Sequence, residues 1–460
     1  MKSLLLACSL LALAACSVGP DYQRPAQPVP KGWSNQDQAG AWPAADWWQG
    51  FRSPGLMTLL AQARRANPDL AAAVARVRQA DAEVKIAGGA LWPSLSLGAL
   101  GERTRLPTGN GKPPVGSNLY DVLPGASYEV DLWGRYADQV EAAKALADAS
   151  RFDRETTALT VEADLADTYF AILAGEDRLR AAQGNLTAAR QTLDALTARL
   201  GAGTVSALDV AQQQSVVDGL AAALPPLEQS IRQNRAALAL LVGQLPESLP
   251  LPQGGLNDLA VPAVRAGLPA GLLARRPDVA AAEAQLRAAN ADIKQAHAAL
   301  FPDIALTAEG GLESALLSGL TKPGGVVYAL AASVSQPIFE GGALQGGIEL
   351  EQGLWQETSA DYRKAVINAY ADVESALAAA DAGNRQEQAA RAAARTARTA
   401  FEISQAQLAS GTVDLLSVLN TQRTWFSAQD SYLQARQAHL QALVGLFRAL
   451  GGGWSRSDKV

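Results

Sequence analysis

One segment of the sequence carries apolar residues at every seventh position over a length that few folds can accommodate. The heptad positions are Leu165, Ile172, Leu179, Leu186, Leu193 and Leu200. This spacing indicates the seam of a coiled coil. A helix over 138–200 would be about 95 Å long at a rise of 1.5 Å per residue. A chain of 460 residues cannot bury such a helix in one globular core, so the helix must project or pack against copies of itself.

A second seam follows the Gly-rich break at 201–204. Its heptad positions are Val210, Val217, Leu224, Ile231, Leu238 and Leu245. Two seams joined by a short turn predict an antiparallel coiled-coil hairpin. Pro225-Pro226 interrupts the return helix, and a proline pair breaks a helix or starts a new one. We therefore expect two stacked pieces, at 205–223 and 227–242.

The chain contains two copies of one half. Residues 67–101 and 276–310 both begin with a Pro-Asp helix start and pass through Val-Lys or Ile-Lys, at an offset of 209. Gly203-Thr204-Val205 matches Gly411-Thr412-Val413 at an offset of 208. A period this long is unlike the 20–50 residues of a solenoid. It indicates a duplicated half-subunit.

Each predicted repeat has the same layout of helix, strand pair, long helix, tight turn and return helix. The first repeat is predicted over 53–260, with strands at 94–105 and 119–132, a long helix at 138–200 and a return helix at 205–242. The second is predicted over 261–450, with strands at 303–312 and 326–338, a long helix at 347–409 and a return helix at 414–449. Residues 451–460 form a C-terminal tail. Glu387 intrudes into the weaker second seam, which hints that part of that helix faces water or a lumen.

The four predicted strands alternate between an apolar face and a face of small or polar residues over about ten residues. This pattern is typical of transmembrane β-strands, although a soluble two-sided sheet would also show it. Four strands do not close a barrel, and an open sheet edge cannot lie in lipid. If the strands lie in a membrane, the chain must oligomerise. Two copies would supply eight strands and three would supply twelve, and the pattern does not choose between them.

The amino terminus has the layout of a secretory signal. Lys2 precedes an apolar run from Leu4 to Leu13 that is too short to span a bilayer. Residues 13–16, Leu-Ala-Ala-Cys, resemble a bacterial lipobox, which implies a signal peptide at 1–15 and a lipid on Cys16. By the same resemblance, Ser17 implies sorting to the outer membrane. The alternative is an ordinary signal peptide followed by a chance cysteine.

Composition argues against several classes of function. A formal net charge of -6 gives no support for nucleic-acid binding. His297 and His439 lack metal-ligand spacing and a nucleophile partner, so neither a catalytic nor a metal site is predicted. The Gly-rich stretch 341–347 lacks the Lys-Ser/Thr that follows a phosphate-binding loop. We expect no enzymatic activity and no cofactor beyond the covalent lipid on Cys16.

Several short motifs recur in a fixed order along the mature chain. They are Cys16 followed by Val18-Gly19-Pro20-Asp21-Tyr22, Trp47-Trp48 before Phe51, Pro-Asp at 68–69 and 277–278, Gln336-Pro337-Ile338-Phe339 with Gly341-Gly342, and the two Gly-Thr-Val turns. Their order, spacing and duplication resemble the TolC-like outer-membrane factors, in the NodT-type lipoprotein branch that serves resistance-nodulation-division (RND) efflux systems.

The resemblance implies an α+β membrane protein that assembles as a homotrimer. Three chains would share a twelve-stranded barrel in the outer-membrane lipid and an α-barrel of twelve helices in the periplasm. An equatorial belt would take in about 20–60, 245–275 and 450–460, including the lipidated segment 16–52.

The resemblance also implies where the function lies. The family binds a periplasmic adaptor, also called a membrane fusion protein, at its tips. The tip residues here would be Arg199, Gly203, Thr204, Gly411 and Thr412, although Gly and Thr are also good turn residues. The family closes its duct near the tips with side chains that match Leu416, Asn420 and Arg423. Members often carry an acidic residue where this chain has Asn420, so a ring of amides should respond less to cations and pH, unless Asn420 merely faces solvent.

The implied function is that of a passive exit duct for drugs or other small solutes. It would work with the adaptor and an inner-membrane RND-type transporter in a tripartite pump. An outer-membrane component of a type I protein secretion system is the alternative within the same class. A non-transporting coiled-coil lipoprotein or adaptor is the alternative from another class. An adaptor would normally show one hairpin and no paired membrane strands, whereas this sequence predicts two of each.

Overall fold

A computed structural model describes residues 18–34, 40–107, 115–250 and 252–456. The predicted signal peptide at 1–15 and the lipid on Cys16 lie outside these residues. The described residues form two compact units, and each unit takes elements from both repeats. The first unit comprises 76–151 and 281–363 with the described residues before 27, and the second comprises 27–75, 152–280 and 364–456.

Eight α-helices are described. They are α1 (Pro54–Ala66), α2 (Pro68–Gly89), α3 (Arg135–Gly201), α4 (Ala207–Ala222), α5 (Leu224–Leu241), α6 (Pro277–Ala298), α7 (Ala343–Ala409) and α8 (Leu415–Ala449). The long helices α3 and α7 have the same length of 67 residues. The return helix of the first repeat breaks at Ala223, and both prolines lie in the first turn of α5, where a missing N–H removes no helical hydrogen bond. No helix among the described residues is long and apolar enough to cross a bilayer.

The first unit contains one antiparallel sheet in the order β1-β2-β3-β4. Its strands are β1 (Ser94–Leu106), β2 (Val115–Glu129), β3 (Asp303–Ser314) and β4 (Val326–Ser335). The register aligns Leu95, Ala126, Ala308 and Leu330 across all four strands, and the adjacent row is Ser94, Ser127, Thr307 and Ala331. Because successive side chains point to opposite faces, the apolar sets of both repeats lie on one face.

Two strands end earlier than the sequence pattern predicted. β2 ends at Glu129 rather than 132, because the Asp131 side chain instead accepts the backbone N–H of Ala137 at 2.8 Å in the first turn of α3. β4 ends at Ser335 rather than 338, because Pro337 has no N–H to donate to a ladder. β2 also begins at Val115 rather than 119, since Asn118 and the residues before it pair with the end of β1.

The core of the second unit joins both repeats to the short helix Trp47–Phe51. Trp47 stacks on Phe447 with ring centroids 3.7 Å apart. Fully buried members of this core include Trp48, Phe51, Leu56, Leu165, Phe170, Ile172, Leu238, Leu256 and Leu440. A second cluster of Leu186, Ala189 and Val217 lies farther along the hairpin. Half of the predicted seam positions are thus buried between the helices, whereas the end positions Leu200 and Leu245 are exposed. The buried positions are Leu165, Ile172, Leu186, Val217, Ile231 and Leu238.

The return helices α5 and α8 end in equivalent turns, each with a glycine in the left-handed conformation. Gly243 and Gly451 follow them with φ of 67° and 85°. An added Cβ would lie 2.1 Å from the Ala66 carbonyl oxygen at Gly243, and 1.9 Å from the Arg275 carbonyl oxygen at Gly451. Both positions require glycine, because they combine a left-handed conformation with close backbone contact.

Glu387 itself does not face water, although the neighbouring positions Gln386 and Gln388 of α7 are exposed. Its side chain is buried between α7 and α8, where Arg436 Nη1 lies 3.0 Å from one carboxylate oxygen and His439 Nδ1 lies 2.6 Å from the other. Arg436 also donates to the carbonyl oxygen of Leu259 at 2.7 Å. The polar residue in the seam is thus part of a buried ion-pair network.

Candidate functional site: helix turns and the adjacent face of α8

The turn between α3 and α4 is closed by backbone and side-chain hydrogen bonds. Gly203 adopts φ of 73°, and the N–H of Thr204 donates to the Arg199 carbonyl oxygen at 3.0 Å. The Thr204 hydroxyl donates to the same oxygen at 3.1 Å. Ser206 then caps α4, and its side chain and that of Asp209 each bind the other's backbone N–H. These contacts satisfy groups that a helix end leaves unpaired.

The turn between α7 and α8 repeats this construction. Gly411 has φ of 72°, and the N–H and hydroxyl of Thr412 donate to the Gln407 carbonyl oxygen at 2.9 and 3.1 Å. Asp414 caps α8 by accepting the N–H of Ser417 at 2.8 Å. The serine and aspartate of the first cap thus appear in reversed order in the second. Hydrogen bonds from Ser417 lower the pKa of Asp414, so the cap stays charged at neutral pH.

All five predicted tip residues lie on these turns and are exposed. The threonine hydroxyls are already used within the turns, and the glycines supply the left-handed conformation. The backbone and the Arg199 side chain are therefore the exposed groups at these turns. The role of these residues in forming the turns is therefore compatible with the predicted contact with an adaptor.

The three predicted gate residues lie on one exposed face of α8. Leu416 is 53% exposed, and Asn420 and Arg423 are also exposed. The spacing of four and then three residues places them one above another on the helix. The opposite face is buried through Val418, Leu419, Gln422 and Phe426. Along α8 the exposed face thus presents an apolar, then an amide, then a cationic side chain, and none of the described residues covers it.

A groove of about 770 Å³ lies beside Arg423, between α3, the break at α4–α5, and α8. Arg178 of α3 forms a two-pronged ion pair with Asp430 of α8 at its edge, with N–O distances of 2.6 and 3.1 Å. Sequence spacing does not predict this pair, because the two residues are far apart in the chain and lie on different helices. Gln213 was visible as an interruption of the seam, and its buried amide donates to the Ala189 carbonyl oxygen at 2.7 Å.

The apolar face of the sheet is the other functional surface. Its large side chains are exposed within the single chain; examples are Leu95, Leu97, Tyr328, Leu330 and Val334. A contiguous exposed apolar face marks a membrane or protein interface. β1 and β4 each have one edge without a strand partner among the described residues.

The sheet, the long helical hairpins and their paired turns together define the subunit of an outer-membrane channel. Comparison with known proteins agrees with this class. Residues 59–244 and 268–452 each match the family model described as outer membrane efflux protein. The chain belongs to this family. The second match begins 209 residues after the first, so the family unit coincides with the internal repeat.

Similar curated proteins are full-length matches. The pyoverdine export outer membrane protein OpmQ of Pseudomonas putida is 38% identical over 453 residues, which cover 96% of each chain. The OpmQ protein of Pseudomonas aeruginosa is 38% identical over 473 residues, covering 100% of this chain and 98% of the relative. The open-state structure of the Neisseria gonorrhoeae MtrE outer membrane channel has a TM-score of 0.88 and 30% identity, and covers 97% of this chain and 100% of that chain.

These matches confirm the predicted fold and the family assigned by resemblance. The chain is an outer-membrane protein and serves as the outer-membrane duct of an efflux pump. Its family consists of outer membrane efflux proteins and is not an enzyme family.

Proposed function

We propose that three copies of this chain form one continuous duct, which works with a periplasmic adaptor and an inner-membrane RND-type transporter. The observation that carries this proposal is the four-stranded sheet, with its continuous apolar face and its two open edges. Edge N–H and C=O groups must be paired within a bilayer. Neighbouring copies can pair β1 of one chain with β4 of the next, and the number three follows from the resemblance to TolC-like factors.

The tips and the gate have distinct roles in this proposal. The adaptor binds the exposed turns at Arg199, Gly203, Thr204, Gly411 and Thr412. Leu416, Asn420 and Arg423 face the lumen near the tips and narrow it at rest. The exposed face of α8 supports this role, since its opposite face is already buried in the hairpin.

A lipid on Cys16 anchors the amino terminus of each mature chain to the outer membrane. The lipobox-like sequence before Cys16 and the serine after it support this part of the proposal. No other covalent group or cofactor is required for a passive duct.

The cargo is a small solute that the inner-membrane partner selects. Relatives are named for pyoverdine export and, at 33% identity, for toluene or solvent efflux. This range supports small organic molecules as a class and does not select one compound. A passive, water-filled duct needs only weak discrimination.

The oligomer can be tested on detergent-extracted protein by native mass spectrometry, with gel migration before and after heating as a second readout. We expect three chains per particle and a heat-sensitive oligomer band. A Cys16→Ala variant is the control, because it removes the lipid and leaves the strands intact. A water-soluble monomer without detergent, or a particle of two chains, would contradict the trimeric duct.

A further inference from the structure

An extended segment near the amino terminus lies along α6 in the first unit. We define the N-terminal strap as residues 18–24. Asn290 Nδ2 donates to the Pro20 carbonyl oxygen at 3.1 Å, and Lys294 Nζ lies 3.7 Å from Asp21 Oδ1. The Arg24 guanidinium forms an ion pair with Glu283. The strap is thus fixed by polar contacts at both of its ends.

The residues of α6 that receive the strap lie on one helical face. Glu283, Asn290 and Lys294 are separated by seven and four residues, and only 6%, 6% and 8% of each residue is exposed. Buried polar groups of this kind are normally paired, and the strap supplies their partners. Gly19 packs closely there, since an added Cβ would lie 3.1 Å from the Lys294 Cα.

The strap runs antiparallel to α6. Its amino end lies at Lys294, near the end of α6 that leads into β3, and Arg24 lies at Glu283, about three turns earlier. Two residues lie between Cys16 and Gly19, and the three residue-to-residue steps span at most about 10 Å. The contacts therefore hold the amino end of the strap near the sheet end of α6.

The internal duplication provides a built-in comparison. α2 is the copy of α6, and the offset of 209 places Val74, Asp81 and Lys85 where α6 has Glu283, Asn290 and Lys294. Only the lysine is retained. Val74 has no charge for Arg24, and Asp81 already pairs with Arg151 at 2.5 Å. The same strap on α2 would lack its ion pair and would bring a carboxylate to the Pro20 carbonyl oxygen.

We propose that this face of α6 is a docking site for the strap, and that Glu283 and Asn290 make the strap select α6 over its copy α2. Each subunit then holds its acylated amino terminus at one of two related helices, on the side where the chain enters the sheet. The role in placing the lipid rests on the proposed modification of Cys16. The docking itself depends only on the contacts of residues 18–24.

Zero-length cross-linking with a carbodiimide tests this selection in the full-length protein in outer-membrane preparations. The reagent joins a carboxylate to an amine in direct contact, and Asp21 has a lysine available on either helix, Lys294 on α6 or Lys85 on α2. We expect mass spectrometry of the digested protein to find the Asp21–Lys294 peptide pair and not the Asp21–Lys85 pair. Equal yields of the two pairs would overturn the proposed selection.

Variants then identify the determinants. Glu283→Val with Asn290→Asp installs the residues of α2, and the Asp21–Lys294 yield should fall about tenfold or more, since a charge-assisted contact is lost. Arg24→Ala should cause a similar fall without altering a helix, which covers the case in which the double variant fails to fold. Val74→Ala on α2 is the matched control and should leave the yield unchanged. An undiminished yield in Arg24→Ala and in a folded double variant would refute the docking site.

Lipid labelling separates this proposal from the anchor. Growth with a labelled fatty acid should label wild type and Arg24→Ala equally and leave Cys16→Ala unlabelled. If wild type is unlabelled but gives the Asp21–Lys294 pair, the anchor is wrong and the docking site stands. If wild type is labelled and the pair is missing, the docking site is wrong and the anchor stands.

Discussion

Glu387 has two arginine partners in very different surroundings. Arg436 is buried with it between α7 and α8, whereas the side chain of Arg391 is 44% exposed and lies 3.1 Å away. The heptad pattern could reveal only that a charged residue interrupts the seam. It could not reveal that Arg436 and His439, on another helix, turn that interruption into a buried network, because no local spacing links the two helices.

The two arginines should therefore differ in their effect on stability. Arg436→Met leaves the buried Glu387 carboxylate without its main cation, and breaking a buried pair in this way costs about 3–5 kcal/mol. Arg391→Met removes an exposed partner of the same carboxylate and should cost less than about 1 kcal/mol. Thermal unfolding of the two variants in detergent, followed by circular dichroism, compares them directly. Equal shifts in melting temperature would show that the buried Arg436 contributes no more to stability than the exposed Arg391.

Asp167 on α3 links stability to pH. Burial raises its pKa to about 7, the nearby Arg448 opposes this shift, and Asp164 adds to it. Its Oδ1 atom is buried and has no hydrogen-bond partner among the described residues. The folded chain thus holds a proton that the unfolded chain has released at the same pH.

The sign of this effect is set by the raised pKa. Between about pH 4 and pH 7 the folded state binds more protons at Asp167 than the unfolded state does, so its contribution to stability falls as pH rises. Asp167→Asn should therefore raise the melting temperature at pH 8 and have little effect at pH 4. Asp194→Asn, at an exposed position farther along the same helix and away from Asp167, is the control. If the melting temperature of Asp167→Asn varied with pH as that of the wild type does, Asp167 would not be protonated in the folded state as proposed.

At the scale of elements, glycines determine how the helices are joined. Gly243→Ala brings a methyl group against the Ala66 carbonyl oxygen and also requires a left-handed alanine, so we expect a loss of about 3 kcal/mol or more. Gly203 has a similar φ, but nothing lies within 4 Å of an added Cβ, and Gly203→Ala should cost only about 1–2 kcal/mol. The loss of stability in each variant is measured from the yield of heat-sensitive oligomer and from its melting temperature. Similar losses would mean that backbone conformation alone sets the requirement for glycine.

Helices and strands were predicted from sequence because their signals are local. Heptads and Gly-Thr turns specify α3, α7 and their return helices. Pro-Asp starts specify α2 and α6, and alternation specifies the four strands. The strand ends were less accurate, because they depend on single competing contacts such as the Asp131 cap of α3. The short helix Trp47–Phe51 packs on Phe447 across most of the chain, and no spacing in the sequence records that contact.

At the scale of the whole molecule, the repeat is a unit of sequence but not of packing. The sequence predicted two repeats, whereas each compact unit combines elements of both. The reason is visible in the sheet, where β2 of the first repeat pairs with β3 of the second. Duplication therefore produces one shared sheet and a common helical core, and a single repeat would leave both incomplete.

The proposed gate would form only in the assembled duct, where one exposed face of α8 is repeated in every subunit. In the proposed trimer, Asn420 side chains form a ring of amides that closes by hydrogen bonds and carries no charge. Asn420→Ala removes those bonds and should raise the resting conductance of channels in planar bilayers. Asn420→Asp should make the conductance sensitive to divalent cations, because a ring of carboxylates binds them.

Ser427→Ala is the matched control for the gate, since Ser427 lies on the same exposed face of α8 two turns farther from the tip. Its conductance should equal that of wild type in the presence and absence of divalent cations. If Asn420→Ala also conducts like wild type, Asn420 does not limit the resting channel, and Leu416 becomes the remaining constriction to test. A response to cations in Asn420→Asp alone would show that the position faces the lumen but does not close it. The two substitutions thus separate the direction in which residue 420 points from its role in closure.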